Sequence, residues 1–262
     1  MLTFWVGPCK LHPKYIESEE YMKICISKWA RMACAAAIGL SLGAFTSQAA
    51  DDTNAPVSAK TNATSKNADA SKTASTEETA YGWESLFDGK TLKGWKETDF
   101  AGKGEVTIDK DHIVIGLGNN MTGITCTNDV PLTQYEVVLD AMRVDGSDFF
   151  CGLTFPVKKE YCSLILGGWG GGVVGISSID GSDASSNQTT SFRSFKQGQW
   201  YHVRVKVTDE KIQVWLDKER IIDFKIEDHK MTTRMEVDSS KPFGIATWCT
   251  TGAIRNIKCR KL

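Results

Sequence analysis

Four side chains in the middle of the chain have the types and spacing for proton transfer: Asp140, Arg143, Asp148 and His202. A carboxylate or imidazole can take up and return a proton, and a guanidinium can hold an oxygen that gains negative charge. In residues 135–144 the alternation of a strand puts Glu136, Val138, Asp140 and Met142 on one face and Tyr135, Val137, Leu139, Ala141 and Arg143 on the other. Asp140, near the middle of that strand, needs a partner wherever it is buried. His202 shares a polar face with Arg204 and Lys206, and Gln213 and Trp215 lie on the matching face of the next strand. Imidazole is a residue type suited to acid–base work, whereas a solvated outer face would need no chemistry at all.

A second set of residues suits binding. Five glycines surround Trp169 in residues 166–173, giving up side-chain packing for sharp bends or for the close approach of another molecule. Trp169 could offer its flat face to a sugar ring, or it could pack inside at a bulged strand end. Asp145-Gly146-Ser147-Asp148 and Asp180-Gly181-Ser182-Asp183 repeat one tetrapeptide. Asp145, Asp148, Asp180 and Asp183 could collect on a calcium ion, but Asp-Gly-Ser is also ordinary turn chemistry. The polar loop 185–193 carries Asn187 and Arg193, groups that suit sugar hydroxyls and a carbonyl or carboxylate oxygen and equally suit a solvated loop. Trp215 and Trp248 are further stacking candidates. No cofactor is demanded by the sequence, and a divalent metal such as calcium is the one weak possibility.

The elements that must position these residues have a period near two. Residues 105–108, 112–115, 123–126, 135–144, 149–155, 161–166, 173–179, 200–207, 211–216, 220–224, 243–248 and 253–260 read as strands separated by short turns, with no long amphipathic helix. So many strands without alternating helices predict two packed antiparallel sheets, a jelly-roll β-sandwich. The first strand, around Leu86 and Phe87, is expected beside the last, around residues 255–259. That first strand leads through an Asp88-Gly89 turn to Gly94, which returns Trp95 to the core.

Composition changes sharply before the domain. From residue 50 to about 80 the chain is nearly all Ala, Thr, Ser, Lys, Asn, Asp and Glu, with Val57 its one large apolar residue, so it reads as a disordered linker. Lys23, Lys28 and Arg31 precede a small-residue apolar run, 32–45, that ends in Thr46-Ser47-Gln48-Ala49-Ala50. This is the layout of a signal peptide cleaved after Ala49 or Ala50, too short to span a bilayer as a helix. Translation from Met22 would give it a more ordinary start than Met1. The expected boundaries are therefore 1–49 for extension and signal, 50–82 for the linker and 83–262 for the folded, exported domain. The formal net charge is −1, with both signs interspersed, which suggests neither a nucleic-acid partner nor a membrane span once the signal is removed. Five cysteines, Cys126, Cys151, Cys162, Cys249 and Cys259, fall in the domain. Buried free thiols are expected, although Cys151 and Cys162 could meet across a hairpin.

Leu86-Phe87-Asp88-Gly89-Lys90-Thr91-Leu92-Lys93-Gly94-Trp95-Lys96, Trp200-Tyr201-His202-Val203-Arg204-Val205, Ile212-Gln213-Val214-Trp215-Leu216-Asp217 and Ala253-Ile254-Arg255-Asn256-Ile257 resemble, in order, the 3-keto-disaccharide hydrolase domain family. The resemblance spans the whole domain. It implies an exported concanavalin A-like jelly roll and cleavage of glycosides already oxidised at C3 of a sugar. Residues 146–155 and 161–172 depart from the family's Asn-Ser-Gly-Ile and Tyr-Glu-x-Gln types of segment, so no catalytic residue is carried over. A carbohydrate-binding module of the same fold, or an adhesive module of the cell envelope, would use the same sandwich without chemistry.

Overall fold

The computed structural model describes residues 82–262. The expected signal, the start at Met22 and the linker lie outside the described residues, apart from Gly82. Fifteen strands follow in chain order: β1 (Glu84–Ser85), β2 (Trp95–Glu97), β3 (Val106–Asp109), β4 (His112–Ile115), β5 (Met121–Cys126), β6 (Tyr135–Gly146), β7 (Cys151–Val157), β8 (Glu160–Gly167), β9 (Val173–Ser177), β10 (Ser191–Phe192), β11 (Trp200–Val207), β12 (Lys211–Leu216), β13 (Glu219–Lys225), β14 (Gly244–Trp248) and β15 (Thr250–Lys261). One antiparallel sheet has the order β13-β12-β11-β6-β15-β4-β3, with β1 also on β15, and the other has the order β10-β9-β8-β7-β14-β5-β2. This is the expected sandwich of two sheets.

Alternation builds the core. Val137, Leu139, Val203, Val205, Ile212 and Val214 point inward from the eight-stranded sheet and meet Leu153, Phe155, Leu164, Leu166, Ile176 and Ile245 from the seven-stranded one, all of them buried. Closure by the chain ends also holds: Glu84 pairs with Cys259, Ser85 with Lys258, and the Leu86 amide donates to the Ile257 carbonyl. Just beyond, the Asp88 carboxylate accepts the amides of Lys90 and Thr91, which lowers its pKa to about 2 together with the Thr91 hydroxyl. The turn so fixed returns Trp95 to the core, where its indole N–H donates to the Leu86 carbonyl.

The outer faces of the two sheets differ. On the seven-stranded sheet the pairing aligns Thr125, Gly244, Thr154, Ser163 and Ser177 in one row across five strands. Thr98 bonds to Thr125 and Thr154 to Ser163, each at 2.8 Å. This row is buried beneath the chain's own segments. Phe100 lies so close to Gly123 that a Cβ there would sit 2.9 Å from its ring. A 3-10 turn at Met235–Ser240 and the loop between β9 and β10 cover the rest, joined by Arg234, which pairs with both Asp183 and Glu236. The outer face of the eight-stranded sheet carries charged and aromatic side chains, with no such cover among the described residues.

Cys126, Cys151, Cys162 and Cys259 are buried thiols, and the strand pairing sets Cys151 against Leu166 and Cys162 against Phe155, so those two do not face each other. Burial pushes the Cys151 thiol up to about 12 and, as the largest of several causes, that of Cys259 to about 11. No helix among the described residues is long and apolar enough to cross a membrane.

Candidate functional site

The exposed face of the eight-stranded sheet brings two of the sequence candidates together. His202 lies directly across from Asp140 in the β11–β6 register, and its Nδ1 is 2.8 Å from Asp140 Oδ1. A carboxylate only accepts, so Nδ1 carries the proton and Nε2 is left as the basic nitrogen. The imidazole is 49% exposed and the carboxylate 16%. Asn256 donates to the other Asp140 oxygen at 2.7 Å, and Arg255 Nε reaches it at 3.4 Å. Burial opposes the charge of Asp140, but the hydrogen bonds from His202 and Asn256, with the Arg255 charge, outweigh it and hold the carboxyl below its usual range.

The surrounding elements fix this arrangement. Asn256 sits at a break in the β15–β6 register with φ 54, the left-handed conformation that asparagine tolerates better than most residues. The bulge turns Arg255 and Asn256 toward the same carboxylate. Arg255 stacks on Trp200 at 4.2 Å, and His112 meets the same indole edge-on at 5.5 Å. Asp111 bonds both His112 and Arg255. Asp217 accepts the His202 amide and gives its own amide to the His202 carbonyl, which pins the backbone beneath the imidazole. Sequence reasoning missed Arg255 and Asn256; an asparagine interrupting an apolar strand pattern was the available signal.

The other candidates go elsewhere. Arg143 points inward, donates to the carbonyls of Asp148, Gly167, Gly171 and Phe195, and lies against the rings of Phe150 and Phe195. It is a brace for the glycine-rich turn, making no direct ion pair among the described residues, with the Asp148 charge nearby. Asp148 accepts the amides of Phe149 and Gly170, and burial raises its pKa despite those bonds. Together they hold a turn in which Gly167, Trp169, Gly170 and Gly171 all have positive φ, and Trp169 projects 42% exposed instead of packing inside.

Asp180 and Asn187 form a separate cluster at the opposite end of β9. Asp180 accepts from His229 and the Lys230 amide, while Asn187 donates to the carbonyls of Ile176, Ser182 and Asp183. The hydrogen bonds of His229 and Lys230 lower the Asp180 pKa. Asp180 and Gly181, both at positive φ, make the two-residue turn that the Asp-Gly pattern predicts, closed by reciprocal bonds between Ile179 and Ser182. Asp145 accepts from Gln197 at 3.5 Å. Asp183 pairs with Arg234, and among the described residues no three His, Cys, Asp or Glu side chains gather where a metal could be held. The four repeat aspartates are thus dispersed over turns and ion pairs.

Arg193 makes a two-point ion pair with Glu219 at 2.6 and 2.8 Å, and both line a cavity of about 490 Å³ with Phe192, Tyr201, Asp217 and Lys218. Phe192 is 76% exposed and pairs with Val173, a few residues from Trp169. Trp215 lies on the outer face of the eight-stranded sheet under the Arg204 guanidinium, at 4.1 Å. Trp248 packs against Phe149 on the other sheet.

Residues 82–260 match the model of a family described as the 3-keto-alpha-glucoside-1,2-lyase-like domain. Among solved structures, the chain is similar to a candidate glycosyl hydrolase from Parabacteroides distasonis at 18% identity and a TM-score of 0.47, over 71% of this chain and 96% of that one. It is also similar to the carbohydrate-binding module CBM66 from Bacillus subtilis, at 15% identity and 0.45, over 68% and 100%. A Crh5 transglycosylase in complex with NAG matches at 9% identity and 0.47, over 69% and 83%. No curated protein matches the chain.

Proposed function

Because the chain belongs to the 3-keto-alpha-glucoside-1,2-lyase-like domain family, we propose that it cleaves glycosides already oxidised at C3 of the sugar, with His202 and Asp140 as its proton-transfer pair. The observation that carries this reading is the 2.8 Å contact of His202 Nδ1 with Asp140, which leaves Nε2 basic on an exposed face.

The chemistry asks little of the protein. A ketone at C3 acidifies the hydrogen on C2, and Nε2 of His202 takes that proton. The electron pair left on C2 spreads onto the ketone oxygen, where the Arg255 guanidinium, held by Trp200 and Asp140, supplies positive charge. As the pair returns to form the C1–C2 double bond, the C1–O bond breaks and the imidazolium gives its proton to the departing oxygen. Water then adds across the double bond, hydroxyl to C1 and hydrogen to C2. Asp140, held ionised, fixes the imidazole tautomer and offsets the charge the ring gains. Incubation with a 3-keto-glucoside and with its unoxidised parent tests the reading: aglycone is released from the first alone, and no release above an enzyme-free control would refute it.

A second reading, sugar binding without chemistry, is favoured by one separate observation. Arg143 and Asp148 together stabilise a turn of positive-φ residues whose visible product is an exposed Trp169 near Phe192 and the 490 Å³ cavity. In either reading the ligand is a glycoside and the domain works outside the cytoplasm, delivered by the signal-like run at residues 32–45.

A further inference from the structure

The amino-acid composition is almost electrically neutral, yet folding sorts the charges. Strand parity places Arg204 and Lys206 of β11, Lys211 of β12, Lys225 of β13, and Lys258 and Arg260 of β15 on the outer face of the eight-stranded sheet. Among the described residues the acids of β6 and β13 on that face are Glu136, Asp140 and Asp223, and Asp223 already pairs with Lys211 and Arg220. Glu136 is 1% exposed and binds both Arg204 and Arg260, so one buried charge on β6 draws together the guanidinia of its two neighbouring strands. Each guanidinium also lies on an indole, Arg204 on Trp215 at 4.1 Å and Arg260 on Trp83 at 4.6 Å. Among the described residues, no ion pair joins Lys206 or Lys225 to an acid. The result is a preorganised basic and aromatic patch in a chain whose formal net charge is −1.

We infer that this patch docks an acidic polysaccharide, a chain bearing sulfate or carboxylate groups, beside the Asp140–His202 pair. The inference rests on the reading of the domain as one that engages sugars, and it narrows the substrate to glycosides borne on an anionic chain. Charge complementarity selects the anion, since an isolated guanidinium already held by stacking and by Glu136 loses little freedom on meeting a sulfate or carboxylate. The indoles select a sugar backbone, because the indole surface that the guanidinia leave uncovered is apolar and can meet ring C–H groups. Continuity completes the argument: His202 and Arg204 are two residues apart on the same face of β11, so a chain lying across the patch passes the imidazole.

The test compares dextran sulfate with unmodified dextran, and with a DNA duplex as a sugar-poor polyanion control, by titration at low and at physiological salt. Dextran sulfate is expected to bind at least tenfold more tightly than either, and to weaken as salt rises. The double variant Lys206→Glu/Lys225→Glu, outside the proton-transfer group, is expected to lose at least tenfold in dextran sulfate affinity while cleaving a small neutral 3-keto-glucoside at the wild-type rate. Equal binding of dextran, equal binding of DNA, or no effect of the double variant would each overturn the inference. Failure of these arms with keto-glucoside cleavage intact removes the docking surface alone, whereas loss of cleavage by the wild type with dextran sulfate binding intact removes the catalytic reading and leaves the surface.

Discussion

The seven-stranded sheet hides its outer face and the eight-stranded sheet displays its own. On the first, a row of threonine, serine and glycine is roofed by Phe100, the Met235–Ser240 turn and the β9–β10 loop, and its hydroxyls are used up within the row or by those segments, Thr154 on Ser163, Thr125 on Thr98 and the Ser239 carbonyl, Ser177 on Asp183. On the second, Asp140, His202, Arg255 and three tryptophan–arginine stacks stand where a ligand can reach them. The difference teaches that a polar side chain's neighbours, more than its type, decide whether it can do chemistry. Arg143 and Arg255 make the point. Arg143 gives its hydrogen bonds to main-chain carbonyls that hold a turn, while Arg255 faces outward beside a histidine.

The sharpest way to break this contrast is to remove the brace. Arg143→Ala leaves the carbonyls of Gly167 and Gly171 without their donor and opens space beside Phe150, and should cost about 3 kcal/mol or more in chemical denaturation. Replacement on the exposed face should behave oppositely. His202→Ala and Asp140→Asn should leave stability within about 1 kcal/mol of wild type yet lower kcat/KM on a 3-keto-glucoside by about 10²-fold or more. A smaller effect separates the two regions by pH. Asp140 has a lowered pKa, so it adds stability above the ordinary carboxylate range that is lost as pH falls through its folded value. Asp148 has a raised one, so its contribution is present at low pH and lost as pH rises through the folded value. Denaturation midpoints between about pH 3 and 6 should therefore shift in opposite senses for Asp140→Asn and Asp148→Asn. The smallest change in stability is expected for Trp169→Ala, below about 1 kcal/mol for a side chain already exposed, with loss of sugar-induced fluorescence change if that turn binds ligand.

How far the sequence reveals these features depends on the range of the interactions. Strand alternation is local, so the inward faces of β6, β11 and β12 follow from Val137, Val203 and Val214, and even the pairing of the chain ends follows from sandwich closure. The outward placement of Asp140 and His202 follows in the same way, but their direct contact requires a register between segments 62 residues apart. Arg143 looks like an oxyanion donor because nothing local tells that its partners are carbonyls from β8 and the turn beyond. The cover on the seven-stranded sheet escapes for a similar reason: Cys151–Val157 is buried on both faces, and its charge-free sequence records the burial without naming the roof. Charge sorting between the two sheets is invisible in a composition that sums to −1.

The central claim, that His202 is the base held by Asp140, is tested most directly by following a 3-keto-glucoside by NMR in deuterated water. Wild-type protein should release aglycone with deuterium incorporated at C2 of the product, and His202→Ala of unchanged fold should do neither above the enzyme-free rate. Release at the wild-type rate by His202→Ala, or no release by the wild type, would contradict it.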